Sequence, residues 1–436
     1  MNRRAVIALA SAVAVSGVAT ACTGGTSGGP VDAQGGECTN LTIWNPQDQW
    51  RATSEYLTEN TGAFEEQHPD IPVDVVDIPY GQYEARYSAG FSSGTEAPDI
   101  FMGQVSYYGD GLGVAAPAPD DLQQQWTENL VESTAPAFQV DGTWYGYPVS
   151  TDLGMQLYYN VDQFEEVGLD PDQPPTTFEE LREYADRLAI RDGEEVERNG
   201  LAIRYSGAPV GIADKALPFI HAFGGTLYST TDRTAAGYLD SEGTIAGLQF
   251  VQDLVHEDRS ASLELGSPDD TFVQGLSSMM FREGWYEGFL DENAPDLNFR
   301  IAPYPDGPAG YPQVSLLFNW AWMVNANSPC ADAAWDWIRS VSNPETDMAL
   351  AELEGYLPVW ESNYETPFVT ERSDYEAVQR QLAEGPGPYY GAALSNQVHT
   401  LIGESIEAII QGAPVAETLQ STVGEVEPLL QQEGVA

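Results

Sequence analysis

The residues that could support chemistry in this chain are carboxylates and aromatic rings rather than histidines or cysteines. The sequence has 67 acidic residues, 22 Tyr and 10 Trp, but only four histidines and three cysteines. The histidines are isolated from one another and from any cysteine pair, so we expect them at helix ends or on the surface: His68, His221, His256 and His399. With so many acids, some carboxylate pair lies at a suitable separation by chance, so their number does not identify a glycoside-cleaving site.

No short motif of a catalytic or nucleotide-binding site occurs in the structural context that it needs. The Gly-x-Ser-x-Gly spacing occurs at residues 25–29 and 90–94, but neither match lies between a predicted strand and a predicted helix. There is no His-Glu-x-x-His, no P-loop and no dinucleotide-binding glycine fingerprint. An Asp/Asn loop with calcium-binding spacing is also missing. We therefore expect no cofactor, no metal and no enzymatic activity.

The start of the chain has the pattern of an export signal. A basic start precedes an apolar run, residues 5–18, that is too short to span a bilayer. Small residues then lead to Cys22, and this ending resembles the lipobox of bacterial lipoproteins, although Ala19 stands where that family more often has leucine. The resemblance implies a signal peptide over residues 1–21 and an acylated Cys22 on the extracellular face of the cell membrane. The alternative is an ordinary secretory signal with an incidental cysteine.

Two cysteines remain if Cys22 carries lipid. Cys38 precedes the first predicted strand, and Cys330 follows an apolar stretch that ends at Val324. In an oxidising compartment these two residues either form a disulfide or stay as unpaired thiols, and the sequence leaves both possibilities open. The Gly- and Ser-rich residues 22–36 are predicted to be a flexible tether.

The charge of the chain is strongly negative. The sequence has 17 basic and 67 acidic residues, and removal of the signal, with its two arginines, leaves 15 − 67, or −52. Such a surface repels nucleic acid and anionic lipid headgroups, which argues against both as partners. The scarcity of lysine suggests, as a hypothesis, a saline habitat in which dissolved ions screen the self-repulsion. No stretch after the signal approaches about 18 uninterrupted apolar residues, so the remaining chain is expected to be soluble.

Strands and helices alternate along the chain. Strands are predicted at residues 41–44, 73–78 and 98–102, with helices at 55–67 and 83–92 between them. This alternation predicts an α/β fold whose parallel strands gather ligand-binding loops at their carboxyl ends.

Later signals continue the same pattern. A helix over residues 178–190 is predicted by its period and by Thr177 and Glu180, which have capping-box spacing. Residues 191–200 are expected to form a charged turn. Further predicted elements are a strand at 201–204, a helix at 217–223, a strand at 278–281, and helices at 331–341, 398–411 and 415–430.

In this order the motifs resemble the extracellular solute-binding proteins of ABC importers, in the group similar to maltose- and trehalose-binding proteins. Single motifs are weak, but their order covers nearly the whole mature chain. The strongest is a Tyr-Gly-x-Pro strand, a Tyr-Asn pair and a Pro-x-Thr-aromatic-x-Glu-Leu segment. The matching stretches are Ile43 and Trp44 with Asp48, then residues 94–103, 145–160, 168–169, 175–181, 279–285 and 355–358.

The resemblance implies two α/β lobes with a ligand cleft between them and a hinge built from crossing segments. Crossings are expected at residues 149–153 and 312–316 and again after Tyr356. The predicted first lobe comprises residues 37–150 and 316–356, and the second comprises 151–315 and 357–436. Closure of the lobes around the ligand is one of the recurrent modes of domain motion.

The same resemblance implies a function. The chain would be a monomer that captures a sugar, a di- or oligosaccharide, outside the cell and delivers it to membrane permease subunits, without a cofactor. A secreted glycoside-acting enzyme and a binding protein for a cationic solute are the alternatives that the residues leave open.

A sugar has apolar C–H faces, which aromatic rings cover, and hydroxyls, which carboxylates and amides bind. We therefore select such residues in loops that leave strands. Asp48, Asp152 and Trp285 also match ligand-binding positions of the relatives, whereas Gln49 stands where they have lysine. The full set of candidates is Asp48, Gln47, Trp50, Gln104, Ser106, Tyr107, Asp152, Trp285, Asn319, Trp320, Tyr356 and Tyr389.

Several candidates have structural alternatives. Asp48 could be an exposed loop acid, Tyr107 could pack within a lobe, and Trp320 could pack the hinge. Tyr356 and Tyr389 could only cover a core edge. Two more pairs are assigned outside the site: Tyr158 and Tyr159 are expected in the core, and Arg282 and Glu283 could form a solvated pair.

Overall fold

Two five-stranded sheets organise the chain. The computed structural model describes residues 38–47, 57, 61–93, 97–109, 113–153, 155–229, 232–310, 317–372, 374–375, 378 and 396–432. The strands in chain order are β1 (Leu41–Gln47), β2 (Val73–Pro79), β3 (Ile100–Gly103), β4 (Gln139–Val140), β5 (Thr143–Trp144), β6 (Gly146–Leu153), β7 (Gln156–Asn160), β8 (Ile190–Asp192), β9 (Glu195–Ala202), β10 (Ser277–Arg282), β11 (Phe299–Ala302) and β12 (Leu317–Val324).

The described helices flank these strands. In chain order they are α1 (Gly62–Gln67), α2 (Tyr80–Ser93), α3 (Val105–Tyr108), α4 (Asp120–Asn129), α5 (Val161–Glu166), α6 (Phe178–Leu188), α7 (Pro209–Ala222), α8 (Glu242–His256), α9 (Pro268–Val273), α10 (Tyr286–Asn293), α11 (Ala331–Val341), α12 (Pro344–Glu354), α13 (Pro367–Thr370), α14 (Asn396–Ile410) and α15 (Val415–Gln432). Short 3-10 helices occupy Glu132–Ala137 and Glu361–Glu365. None of the helices in the described part of the chain has the length and apolar character needed to cross a bilayer.

The first sheet has the order β2-β1-β3-β12-β6. β1 is parallel to β2 and β3, whereas β12 is antiparallel to β3 and β6. Leu41, Ile43, Phe101 and Trp322 belong to its core, together with Trp337 from α11. The sheet thus combines strands from the first 153 residues with one strand from much later in the chain, as a two-lobed fold with crossing segments requires.

The second sheet has the order β11-β7-β10-β9-β8. β10 is parallel to β9 and antiparallel to β7, which also pairs with β11. Its main core gathers Leu157, Leu201 and Met279 from the sheet with Ile220 and Ile406 from α7 and α14. Tyr158, on the other face of β7, packs in a smaller cluster with Tyr286 and Leu290. The mixed fold with two lobes that the sequence predicted is confirmed.

Local sequence signals explain the ends of several elements. The Thr177 hydroxyl accepts a hydrogen bond from the Glu180 N–H, which caps α6. The Glu180 carboxylate accepts from the N–H and hydroxyl of Thr176, and these bonds lower the pKa of Glu180. At the end of α12, Gly355 has a φ of 79°, a left-handed conformation that glycine adopts without steric cost.

Cys38 and Cys330 form a disulfide in the structure, with Cα atoms 5.0 Å apart. Cys38 lies three residues before the start of β1, and Cys330 is the N-terminal flanking residue of α11. The bond therefore ties the beginning of the first sheet to a helix 292 residues later in the chain.

Some sequence-based expectations need correction. The charged turn expected at residues 191–200 is instead the hairpin of β8 and β9, and α6 ends at Leu188 because β8 begins two residues later. His399 is 6% exposed in the second core region, not on the surface. Val359 and Trp360 pack in the first core, and the lobe boundary expected at Tyr356 stays a prediction. As expected, Tyr158 and Tyr159 are buried.

Candidate functional site

The chain passes between the two sheets at one edge of each. β6 ends at Leu153 in the first sheet, and β7 begins at Gln156 in the second. β11 ends at Ala302, which pairs with Leu157, and β12 begins at Leu317, which pairs with Leu153. At this edge the parallel strands β1, β3, β9 and β10 also end. Because open α/β sheets bind ligands outside the carboxyl ends of their strands, this edge is the candidate site.

Predicted binding residues lie along this edge of the first sheet. Gln47 is the last residue of β1, and Gln104 directly follows β3. The parallel register of β1 and β3, extended to their ends, places these two residues level with each other. Ser106 and Tyr107 lie in α3, for which the half-buried Gln104 is the N-terminal flanking residue.

Two further candidates lie on the neighbouring strands. Asp152 in β6 pairs with Phe318, and Asn319 in β12 pairs with Thr151. Since β12 lies between β3 and β6, the candidates on β1, β3, β12 and β6 occupy adjacent strands at the same edge. The structure thus brings together residues that lie up to 272 positions apart in the sequence (Gln47 and Asn319, 319 − 47).

Trp320 and Tyr356 are buried in the structure. Each side chain is 6% exposed and belongs to the first core. The Trp320 ring meets Tyr83 edge-on, with 5.8 Å between centroids. This packing supports the structural alternative for Trp320, and both ligand assignments stay predictions.

Trp285 lies where the two parts of the fold meet. It precedes α10 and is half-buried, and its side chain packs against both the first core and the Tyr158 cluster of the second sheet. The Arg282 guanidinium lies over its ring, 4.8 Å from the centroid. A half-buried tryptophan at such a boundary has the surface and the rigidity to act as a platform for an apolar ligand face.

Hydrogen bonds hold the loop that leads to Trp285. The Tyr158 hydroxyl donates to the carbonyl oxygens of Glu283, at 2.9 Å, and Gly284, at 3.4 Å. Tyr158 lies on β7, next to the strand from which the loop leaves. The second sheet therefore positions the tryptophan directly.

A small pocket lies beside this loop, at the carboxyl ends of β9 and β10. Met155 and Phe219 contribute apolar walls. Its charged lining consists of Arg204, Lys215, Asp269 and Arg282. Met155 immediately precedes β7, so the pocket adjoins the crossing between the sheets.

The charged residues of the pocket form a buried network. Arg282 donates through Nε to Asp269 Oδ1 at 2.6 Å and through Nη2 to Oδ2 at 2.8 Å. Its third nitrogen, Nη1, donates to Glu283 Oε2 at 2.6 Å, and the other oxygen of Glu283 pairs with Lys215 Nζ. Arg282 and Glu283 are each 5% exposed, so they are not the solvated pair that we considered from the sequence. Buried charges of this kind persist only when they are paired.

Lys215 has a strongly perturbed environment. Burial lowers the pKa of its amine well below the usual value, and the positive charges of Arg282 and Arg204 lower it further. Asp214 and Asp269 act in the opposite direction. Perturbed groups of this kind cluster at functional sites, and here the group lies in a pocket at the expected edge.

A second buried network lies near the same edge. Arg372 donates through Nε and Nη2 to the two oxygens of Asp374, at 2.7 and 3.0 Å, and through Nη1 to the Gly355 carbonyl at 3.0 Å. Gln156 at the start of β7 donates to Asp374 at 3.1 Å, and Glu287 of α10 lies 3.7 Å from Arg372. Burial opposes the charge of Arg372, but Asp374 and Glu287 outweigh it and raise its pKa. The network connects the crossing, the end of α12 and the helix that follows Trp285.

The sequence itself carries one signal for the pocket. Lys215 is the only lysine among the 436 residues. In a chain without any other lysine, a single lysine on an apolar helix is a candidate for a specific role. Arg204, Asp269 and Gln156 had no comparable signal, because only the fold brings them to this edge.

Some predicted residues lie outside the described residues: Asp48, Trp50, Tyr389 and Cys22. Within the described ranges, no group of three or more His, Cys, Asp and Glu side chains is arranged to hold a metal ion.

The fold and the edge define a two-lobed solute-binding protein, and comparison with known proteins identifies the family. Residues 48–348 match the family described as bacterial extracellular solute-binding protein, and the chain belongs to this family. Among curated relatives, the sn-glycerol-3-phosphate-binding periplasmic protein UgpB of Pectobacterium atrosepticum is 23% identical over 407 residues, which cover 85% of this chain and 86% of the relative.

Solved structures show the same fold. The GacH receptor of Streptomyces glaucescens, determined without ligand and with acarbose, has a TM-score of 0.72 and 23% identity, and the match covers 90% of this chain and 98% of that one. Maltose-bound MalE3 of T. maritima has a TM-score of 0.73 and 21% identity, over 89% of this chain and 99% of that one. Membership of an extracellular solute-binding protein family, which the sequence motifs predicted, is confirmed.

Proposed function

We propose that this protein captures a sugar, a di- or oligosaccharide, outside the cell and delivers it to membrane permease subunits. The observation that carries the proposal is Trp285, a half-buried ring held between the two cores by Tyr158 and Arg282. Gln47, Gln104 and Asp152, which are residue types with amide and carboxylate groups, lie at the same edge, and this placement supports the proposal. An aromatic plane with a few polar groups is the usual composition of such a cleft.

The comparisons support a carbohydrate. Two structures with this fold were determined with acarbose and with maltose. The relative UgpB is named for sn-glycerol-3-phosphate, a small polyhydroxylated solute with a charged group. The cationic-solute alternative is disfavoured at the pocket, where three of the four charged wall residues are themselves cations.

Location and partners complete the proposal. The family is extracellular, and the lipobox-like residues 19–22 support a lipid anchor on the outer face of the membrane. A single copy of the protein docks on the permease, and it binds the sugar without cleaving it. Cys22 carries the lipid, and residues 1–21 are removed.

Thermal unfolding in the presence of mono- to tetrasaccharides tests the sugar assignment. A solute that binds only the folded state raises the midpoint by mass action, so one saccharide class should raise it and the rest should not. Release of a smaller sugar from any bound glycoside would show an enzyme instead. A shift by cationic solutes alone would show the third function.

Two variants test the role of Trp285. Trp285→Ala should weaken the affinity for the identified sugar by about 30-fold or more, because aromatic anchors often contribute about 2 kcal/mol. Phe289→Ala is the matched control, since Phe289 is a half-buried ring on α10, 6.2 Å from the Trp285 ring. Calorimetry should find its affinity within a few-fold of wild type. Equal losses in the two variants would mean that Trp285 only packs the loop.

A further inference from the structure

The cations of this chain are unevenly placed. The sequence has 16 arginines and one lysine against 67 acids. The wall of the pocket at the ends of β9 and β10 nevertheless holds Arg204, Lys215 and Arg282 and a single carboxylate, Asp269. In a protein with four acids for each base, a wall with three bases for one acid is the reverse of the general composition.

The compensating acids lie behind this wall. Glu283 binds both Lys215 and Arg282, is 5% exposed, and does not line the pocket. Asp214 acts on Lys215 from the preceding position of α7. The positive groups therefore lie closer to the space of the pocket than most of the carboxylates that balance them.

The cations also act on one another. The charges of Arg204 and Arg282 disfavour the charged form of Lys215, in addition to the effect of burial. Lys215 has 12% and Arg282 6% of its side chain exposed, so water screens this repulsion poorly. An anion placed among the three groups would remove the repulsion and add charge-assisted hydrogen bonds.

We propose that this pocket receives an anionic group of the solute, a phosphate or a carboxylate carried by a sugar. The inference rests on the proposed sugar-binding function and specifies the substrate class. Arginine matches the two oxygens of a carboxylate or phosphate with its planar fork, and lysine adds a compact charge. The pocket adjoins the crossing and the Trp285 loop, so a sugar stacked on Trp285 is within the same site as the pocket.

The net negative charge of the protein explains why an anionic solute would need local cations at its site. A chain with a formal charge of −50 repels anionic solutes over distances up to the Debye length, about 10 Å in 0.1 M salt. A local group of cations at the binding edge compensates for this repulsion where the solute arrives. Salt screens the long-range repulsion more than it screens the partly buried cations of the pocket. The preference for an anionic solute should therefore persist at high salt.

Matched solutes test the proposal. Calorimetry at low and high salt would compare each neutral sugar with its 6-phosphate and its uronic acid, and glycerol with glycerol 3-phosphate. Inorganic phosphate alone is a separate sample. We expect at least one anionic form to bind tenfold or more tightly than its neutral parent, and inorganic phosphate to bind more weakly than the best sugar derivative.

Three variants locate the preference. Lys215→Met and Arg204→Gln should each reduce the preference for the anion at least fivefold, while the affinity for the neutral parent changes less. Arg300→Gln is the control, because it removes one positive charge from an exposed site on β11 outside the pocket. Arg204→Gln keeps the test decisive if Lys215→Met does not fold.

The possible results separate this inference from the proposed function. Neutral sugars that bind as tightly as their anionic forms would overturn the inference and leave the sugar receptor intact. An anion preference that survives both pocket variants would place the anion elsewhere and overturn it as well. Inorganic phosphate that binds as tightly as any sugar phosphate would remove the sugar from the proposal. If no saccharide in any form binds, the proposed function itself is wrong.

Discussion

Mild acid should destabilise this protein through its buried histidines. His399 on α14 is 6% exposed, and its Nε2 lies 3.3 Å from the Tyr228 hydroxyl. Burial lowers the pKa of His399 from 6.5 to about 4 and has the same effect on His221 at the end of α7. Both rings are therefore neutral in the folded protein at neutral pH.

The sign and size of the effect follow from proton linkage. The unfolded chain takes up a proton on each histidine as the pH falls below about 6.5, whereas the folded protein does so only near pH 4. Stability is thus fully present above the unfolded pKa and is lost as the pH falls toward the folded pKa. For each histidine the loss is about 2 kcal/mol by about pH 5 and approaches about 3.4 kcal/mol at lower pH, from about 1.36 kcal/mol per pKa unit.

Denaturant unfolding between about pH 7 and about pH 5 measures this loss, above the range in which most carboxylates titrate. His399→Gln keeps a polar group near Tyr228 without a titratable ring. Its stability at neutral pH can change in either direction, so the slope with pH is the readout. The loss of unfolding free energy between about pH 7 and about pH 5 should be about 2 kcal/mol smaller in His399→Gln than in the wild type. Adding His221→Gln should reduce this loss by a similar amount. An unchanged slope in the double variant would show that neither ring is kept neutral by burial.

Three other perturbations have definite expected outcomes. Asp374→Asn should lower the free energy of unfolding in urea by about 3–5 kcal/mol, because it leaves the buried Arg372 without its carboxylate. The control Asp121→Asn breaks the exposed pair with Arg339 and should lower it by no more than about 1 kcal/mol. Similar losses in the two variants would mean that the Arg372 network is not a stabilising unit. Asp152→Ala should weaken sugar affinity more than Asp48→Ala in calorimetry, and the reverse order would show that the assignment of the crossing is wrong. Cys330→Ser should lower unfolding stability by about 2–5 kcal/mol under oxidising conditions and by nothing further under reducing conditions.

Periodic and capping signals predicted much of the fold. The strand at residues 41–44 extends to Gln47, and the helix predicted from Phe178 begins there because Thr177 caps it. The helix predicted at residues 217–223 is longer in the structure, where it starts at Pro209. Proline is typical of the first helical position. These elements depend on neighbours in the sequence, so the sequence alone describes them well.

The site was harder to predict because its charges depend on distant partners. Arg282 and Glu283 looked like a solvated pair, but Lys215, from a helix 67 residues earlier, and Asp269 bury them in one network. Gln104 and Asp152 lie at the carboxyl ends of strands, where the sequence argument expected ligand loops, and their ligand roles stay predictions. Burial of a charge is a property of the assembled fold, and no local pattern reports it.

The disulfide has a mechanical consequence if, as we propose, lipid on Cys22 tethers the receptor to the membrane. Any force transmitted along the tether reaches the folded part at Cys38, where the covalent link passes it to α11. The hydrogen bonds that join β1 to its two neighbours then carry little of the load. β1 is thereby shielded from pulling, so the edge at its carboxyl end can keep its shape while the tether is under tension.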